Sequence, residues 1–444
     1  MRDLHAEYKT KLISPDEAAS FVKYGDKIYY SEFALFPEAL DEALSRKIHL
    51  LRKIDLRSVC FSQLPKIVEA DPDREHVIMH DWHFGTTSSR LHDWNMCNYI
   101  PLSYHQAPRT VRKYHDFDVA FVLVTEMDKN GYFNYSLANS LTAAVLDKTK
   151  TIIVEVNKSV PYGYGGSSES IHISKIDYIV EGNNPPLTEF KPAPPKKVDR
   201  RIARHIMKEI EDGACLQMGI DGPSNLIGQM IAESDLKNLG VHTEMLGDSF
   251  VDLYNAGKIT GRRKSVDPSK MTYTFAIGTK KLYDFLDCNP TCASYPANYI
   301  NDPKIIARNN KVVAINNAME VDLYGQVCSE SIGFQQKSGT GGQLDFMLGA
   351  FMSRGGKGII SLNSTYKDKD GTLHSRIVPT IQPGSIVTVP RSIVQYVATE
   401  YGIVQLNGKS TWERADALIS IAHPDFREEL IDQANKMKIW MKGR

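Results

Sequence analysis

The stretch DVAFVLVTEMDKNGYFNYS, residues 118–136, opens on an unbroken apolar run, Val119–Val124, and turns polar at Asp128-Lys129-Asn130-Gly131. A short apolar run bounded by turn residues suits a strand covered on both faces, as in a parallel sheet clad with helices. KTIIVEVN, 150–157, repeats that pattern. Upstream, SPDEAASFVKYGD offers Ser14 as a helix N-cap, Pro15 in the first turn, Asp16 and Glu17 at the positive helix end, and Gly25 as the stop. KIYYSEF then reads as a strand and FPEALDEALSRKIHLL as an amphipathic helix. Alternation of this kind predicts an α/β architecture.

The same order returns later in the chain. FVKYGDKIYY resembles EIEDGACLQMG, DVAFVLVTEMDKNGYFNYS resembles KVVAINNAMEVDLYGQVCS (311–329), and KTIIVEVN resembles KGIISLNS. Between the two series lies EGNNPPLTEFKPAPPKKVDRR, 181–201, whose prolines and basic residues read as an interdomain linker. The expectation is two tandem, similar open α/β domains with mainly parallel sheets, 1–190 and 191–444. A chain of 444 residues is too long for one ordinary core.

Bulk composition narrows the function. Lys+Arg and Asp+Glu are 53 each, so no general pull toward nucleic acid or an anionic membrane is expected. MRDLHAEYKTKL lacks the apolar core of a signal peptide, and Val119–Val124 is far too short to span a bilayer. Six cysteines without paired spacing suit a reducing compartment. Cys288 and Cys292 have no second ligand pair nearby, and no HExxH accompanies the 13 histidines. A cytoplasmic, metal-independent protein is the expectation.

Three loops in the second half draw attention. In LQMGIDGPSNLIGQMIAESDLK, 216–237, Gly219 and Gly222 sit at a strand-to-helix turn, with Pro223 placed to start the helix. Such a turn presents backbone N–H groups to a phosphate, a carboxylate or an oxyanion; it also occurs as a plain βα turn. In GVHTEMLGD, 240–248, Glu244 stands where a strand ends, at the edge where α/β sheets bind ligands, or as a solvated or capping acid. In QKSGTGGQLDFMLGAFMSRGGKGIISL, 336–362, three glycines in 339–342 let a backbone approach a ligand closely. That loop matches neither the P-loop nor GxGxxG.

Together these loops resemble the acetyl-CoA hydrolase/CoA-transferase family, in its butyryl-CoA:acetate and 4-hydroxybutyrate CoA-transferase branch. The resemblance is carried by IIVEVNKSVP, IHISKIDYIVEGNNPP, GVHTEM, VDLYNAGKI, GTKKLYDF, NNAMEVDLYGQV, SGTGGQLDF and TEYGIVQLNGKSTWERADALISIAHPDF, in the family's order. It implies that Glu244, in the HxEM motif, is the catalytic nucleophile. It implies CoA contacts at Gly219, Ile220, Asp221, Gly222 and Pro223, and further ones at Met319, Gly342 and Lys369. One departure stands out. The family shows GIGG-hydrophobic-Pro-Asn at the first loop, whereas here Asp221 replaces a glycine and the proline is shifted by one.

The activity so implied is CoA transfer from butyryl-CoA to acetate through a glutamyl-CoA thioester, with ping-pong kinetics. The alternatives are transfer to or from 4-hydroxybutyrate, propionate or a dicarboxylate, or acyl-CoA hydrolysis on the same glutamate. Its partners would be acyl-CoA and short-chain carboxylates, with no nucleic acid, membrane, metal or redox cofactor, in a homo-oligomer. His242 reads as a packed or hydrogen-bonding residue rather than a base, since this chemistry needs no base at the nucleophile. Tyr162 and Tyr164, in PYGYGGSSES, form a loop of the first domain.

Overall fold

The computed structural model describes residues 3–191, 194–219 and 222–439, and these fall into two units. The first takes in the residues up to Phe190 with 272–300 and 337–339. The second takes in 191–271, 301–336 and the residues from Thr340 on.

The first unit is built on a sheet in the order Cys97–Tyr99, Val77–Asp81, Ile54–Ser58, Lys27–Tyr30, Phe117–Val124, Thr149–Val156, Tyr178–Glu181. Every neighbouring pair is parallel. Seven of the eight residues of Phe117–Val124 are buried, as its apolar run requires. The winding reverses at Lys27–Tyr30, which has earlier-returning strands on one side and later ones on the other. Ser14 caps its helix as expected: its hydroxyl accepts from the Glu17 N–H, and the Glu17 carboxylate accepts from the Ser14 N–H at 2.8 Å. That helix, Pro15–Ala19, is shorter than the sequence suggested, and a turn leads on to Gly25 at φ +78°.

In the second unit Cys215–Met218 lies between Gly240–His242 and Val312–Asn317. Lys357–Ser361 and Tyr396–Thr399 follow outward, all parallel, and Gly402–Gln405 then pairs antiparallel. The sequence repeats land on corresponding strands. KIYY and CLQM are the strands at which each sheet reverses, DVAFVLV and VVAINN are their neighbours, and TIIVEV and KGIIS come next. The fold is two tandem α/β units with mainly parallel sheets. Residues 182–191 carry no regular structure, and the helix Lys197–Met207 begins inside the proline-rich stretch.

Parallel strands share one carboxyl edge, where loops collect. In the second unit that edge gathers Gly219, Glu244, Ala318, Met319 and Asn363. Among the described residues no helix is long and apolar enough to cross a membrane.

Candidate active site

Glu244 follows Gly240–His242 and precedes the short strand Met245–Leu246. The Thr243 hydroxyl donates to the Met245 carbonyl at 2.9 Å and fixes the bend between them. His242 is buried with its ring 6.2 Å from that of Phe346.

Two donors meet the Glu244 carboxylate. The Asn301 side-chain amide donates to Oε2 at 2.5 Å, and the backbone N–H of Gly342 also donates to the carboxylate. Asn301 is fully buried, and its Oδ1 has no hydrogen-bond partner among the described residues. Gly342 is the N-cap of the helix Gln343–Met352, so the positive helix end faces Glu244. A Cβ on residue 342 would lie 1.8 Å from Glu244 Oε2 and 2.0 Å from Asn301 Nδ2, so any side chain there displaces the carboxylate and its amide donor. The Gly342 φ of −101° shows that the requirement is space, not conformation.

Burial raises the Glu244 pKa to about 8. The buried carboxylate of Asp345 adds to the rise, while the bonds from Asn301 and Gly342 oppose it. The result is a carboxylate poised near neutrality between two donors suited to a developing oxyanion. Glu330 steadies the glycine loop. It is buried and accepts the hydroxyls of Thr340 at 3.2 Å and Thr388 at 3.0 Å.

The other anticipated residues are spread around this centre. Gly219 follows Cys215–Met218, while Gly222 and Pro223 open the helix Gly222–Glu233. Ile220 and Asp221 lie outside the described residues. A Cβ at Gly222 would lie 2.6 Å from Asp199 Oδ2. Gly222 and Pro223 line a cleft of about 290 Å³ together with Asn317, Asn363 and Arg376. The Gln343 side chain, next to Gly342, donates to the Asn317 carbonyl at 2.8 Å and so links this cleft to the Glu244 centre. Met319 lines a second cleft, of about 510 Å³. Lys369 stands apart, exposed in the turn joining Thr365–Lys367 to Leu373–Ser375.

Asn301, Asp345 and Arg376 were not singled out in the sequence. Asp345 lies within SGTGGQLDF, three residues after Gly342, which is the one signal that could have found it. Among the described residues no group of three His, Cys, Asp or Glu side chains could hold a metal ion.

The N-terminal domain model of the acetyl-CoA hydrolase/transferase family matches residues 1–189, and its C-terminal domain model matches 278–434. The chain is similar to the butyryl-CoA:acetate CoA-transferase of Anaerostipes caccae, with 47% identity over 439 residues and 98% of each chain covered. It is 44% identical over 438 residues, again with 98% of each covered, to a probable butyrate:acetyl-CoA coenzyme A-transferase of Syntrophomonas wolfei. The solved structure of RipA from Yersinia pestis matches it with a TM-score of 0.90 and 34% identity, covering 99% of this chain and 100% of RipA.

Proposed function

The chain belongs to the acetyl-CoA hydrolase/transferase family, and on that premise we propose that it moves CoA from butyryl-CoA to acetate through a glutamyl-CoA thioester on Glu244. The observation that supports this most is the pair of donors, Asn301 and the Gly342 N–H, on one carboxylate at a strand end.

A Glu244 oxygen attacks the thioester carbonyl, the C–S bond breaks, and CoA leaves as its thiolate. The thiolate then attacks the glutamyl carbon of the mixed anhydride and releases butyrate. Acetate attacks the carbonyl of the resulting glutamyl-CoA thioester and expels the thiolate, giving an acetyl-glutamyl anhydride. The thiolate then attacks the acetyl carbonyl, the C–O bond to Glu244 breaks, and acetyl-CoA leaves with the carboxylate restored. Each attack places negative charge on an oxygen of a tetrahedral carbon, where fixed donors lower the barrier. CoA contacts far from the reacting atoms supply binding energy for that geometry. We assign these contacts to Gly219, Ile220, Asp221, Gly222, Pro223, Met319, Gly342 and Lys369, so that the half 191–444 carries both nucleophile and CoA site. The substrates and the cysteine usage suit a cytoplasmic setting, and the family resemblance implies a homo-oligomer.

Peptide mass spectrometry after incubation with butyryl-CoA and no acceptor tests the reading. The expected product is a CoA-sized, hydroxylamine-labile adduct on the Glu244 peptide that acetate discharges. Steady release of free CoA without an adduct would support hydrolysis instead.

A further inference from the structure

Arg376 is held in place but not satisfied. Its backbone N–H bonds the Ser364 carbonyl at 2.8 Å. Its Nη1 donates to the Met319 carbonyl at 2.7 Å, and the guanidinium lies 5.0 Å from the centre of the Tyr366 ring. Nε is buried and has no hydrogen-bond partner among the described residues. Burial lowers its pKa, and Tyr366 and Glu320 offset this only in part. Glu320 is itself engaged, since its Oε1 accepts from the Gln382 N–H at 3.1 Å.

The side chain borders the 290 Å³ cleft at the start of the helix Gly222–Glu233, with Lys196 as a second cation on the wall. The carboxylate on that wall, Asp199, is used in accepting from the Lys196 N–H at 2.8 Å. A guanidinium fixed on the wall of a cleft, beside a helix N-terminus and a lysine, is matched to phosphate. A cleft of this size takes one section of CoA, not the whole molecule.

We propose that Arg376 binds a phosphoryl oxygen of coenzyme A through the face of its guanidinium that borders the cleft, which Gly222 and Pro223 open. The inference rests on the CoA-transferase reading and deepens it. CoA offers two such groups, the diphosphate and the 3′-phosphate.

The experiment compares KM for butyryl-CoA, butyryl-3′-dephospho-CoA and butyryl-pantetheine in the wild type, Arg376→Met and Arg376→Lys. One charge-assisted bond predicts that Arg376→Met raises KM for butyryl-CoA by about 10- to 100-fold, and KM for butyryl-pantetheine by less than about twofold. Arg376→Lys recovers part of the loss. A penalty that vanishes with the dephospho substrate assigns the 3′-phosphate, and one that persists assigns the diphosphate. An equal penalty on butyryl-pantetheine, or none on butyryl-CoA, overturns the proposal. The readout is a ratio within one preparation, so a smaller folded fraction does not move it. If Arg376→Met yields no folded protein, Arg376→Lys decides, and an unchanged ratio overturns the idea. Calorimetric titration with CoA separates the two hypotheses. A wild type that binds CoA but transfers nothing defeats the transferase reading, while the loss of CoA affinity in the variants still tests Arg376.

Discussion

Gly342 and Glu244 are fitted to each other by what residue 342 lacks: a Cβ there would fall 1.8 Å from Oε2. No rotation of a methyl relieves such an overlap, so either the carboxylate or the loop must move. If Glu244 is the nucleophile proposed above, displacements of this size cost about 100-fold or more in rate. Gly342→Ala is therefore expected to lose kcat by at least that factor with little change in melting temperature. Steady-state kinetics with a thermal melt checks this, and wild-type kcat in the variant would remove Gly342 from the site.

Asn301 contributes a donor that no neighbour replaces. Its amide lies 2.5 Å from Glu244 Oε2, the position from which it would also meet an oxyanion on the glutamyl carbon. Removing one such donor costs roughly 100- to 1,000-fold in kcat. Asn301→Ala should show that loss and slow formation of the Glu244 adduct in a single turnover. A variant slowed only in CoA binding would make Asn301 a binding residue instead.

The acidity of Glu244 gives a pH signature. Its pKa is raised to about 8, first by burial and then by Asp345. In the proposed mechanism only the ionised form of Glu244 attacks, so kcat/KM for butyryl-CoA should climb with pH and level off above about 8. Removing the Asp345 charge removes a repulsion against ionised Glu244, so Asp345→Asn should shift the midpoint to lower pH. Asn301→Ala withdraws a bond that favours the ionised form and should shift it higher. A profile that ignores both substitutions would mean that another group sets it.

How far the sequence reaches is set by the range of the interactions involved. Val119–Val124 declares a buried strand by itself, and the repeat in KVVAINN extends it to a second sheet, because strand burial is written in local composition. The strand end and its turn are contiguous, so Glu244 draws attention locally, but that reading leaves a solvated or capping acid open and its role rests on the HxEM resemblance. Asn301 could not be found this way, because it reaches Glu244 across 57 residues through a tertiary contact that leaves no periodic trace. Arg376 reads as one more charge beside a polar hairpin until the fold lays it over Tyr366 and ties it to Met319. The helix after Ser14 was overextended for a related reason. Its cap is local and visible, but its end at Ala19 carries no glycine or proline to announce it.

The first unit holds several carboxylates that burial makes reluctant to ionise. Glu32 accepts the Tyr29 hydroxyl at 2.6 Å and has its pKa raised to about 8, while Glu155 and Asp81 are raised to about 7. Each is fully or nearly fully buried, and burial is the leading cause in each case. In the unfolded chain such groups ionise near pH ~4. Between that value and their folded pKa the native state holds more protons than the unfolded state, so stability falls as pH rises. Urea unfolding should therefore give a lower midpoint at pH 8 than at pH 5. Glu32→Gln removes one titrating site and should flatten this slope, recovering roughly 1–3 kcal/mol of the loss across the window. Any fixed change caused by the new amide is independent of pH and leaves the slope readable. A slope equal to the wild type's would mean that Glu32 stays ionised in the native protein.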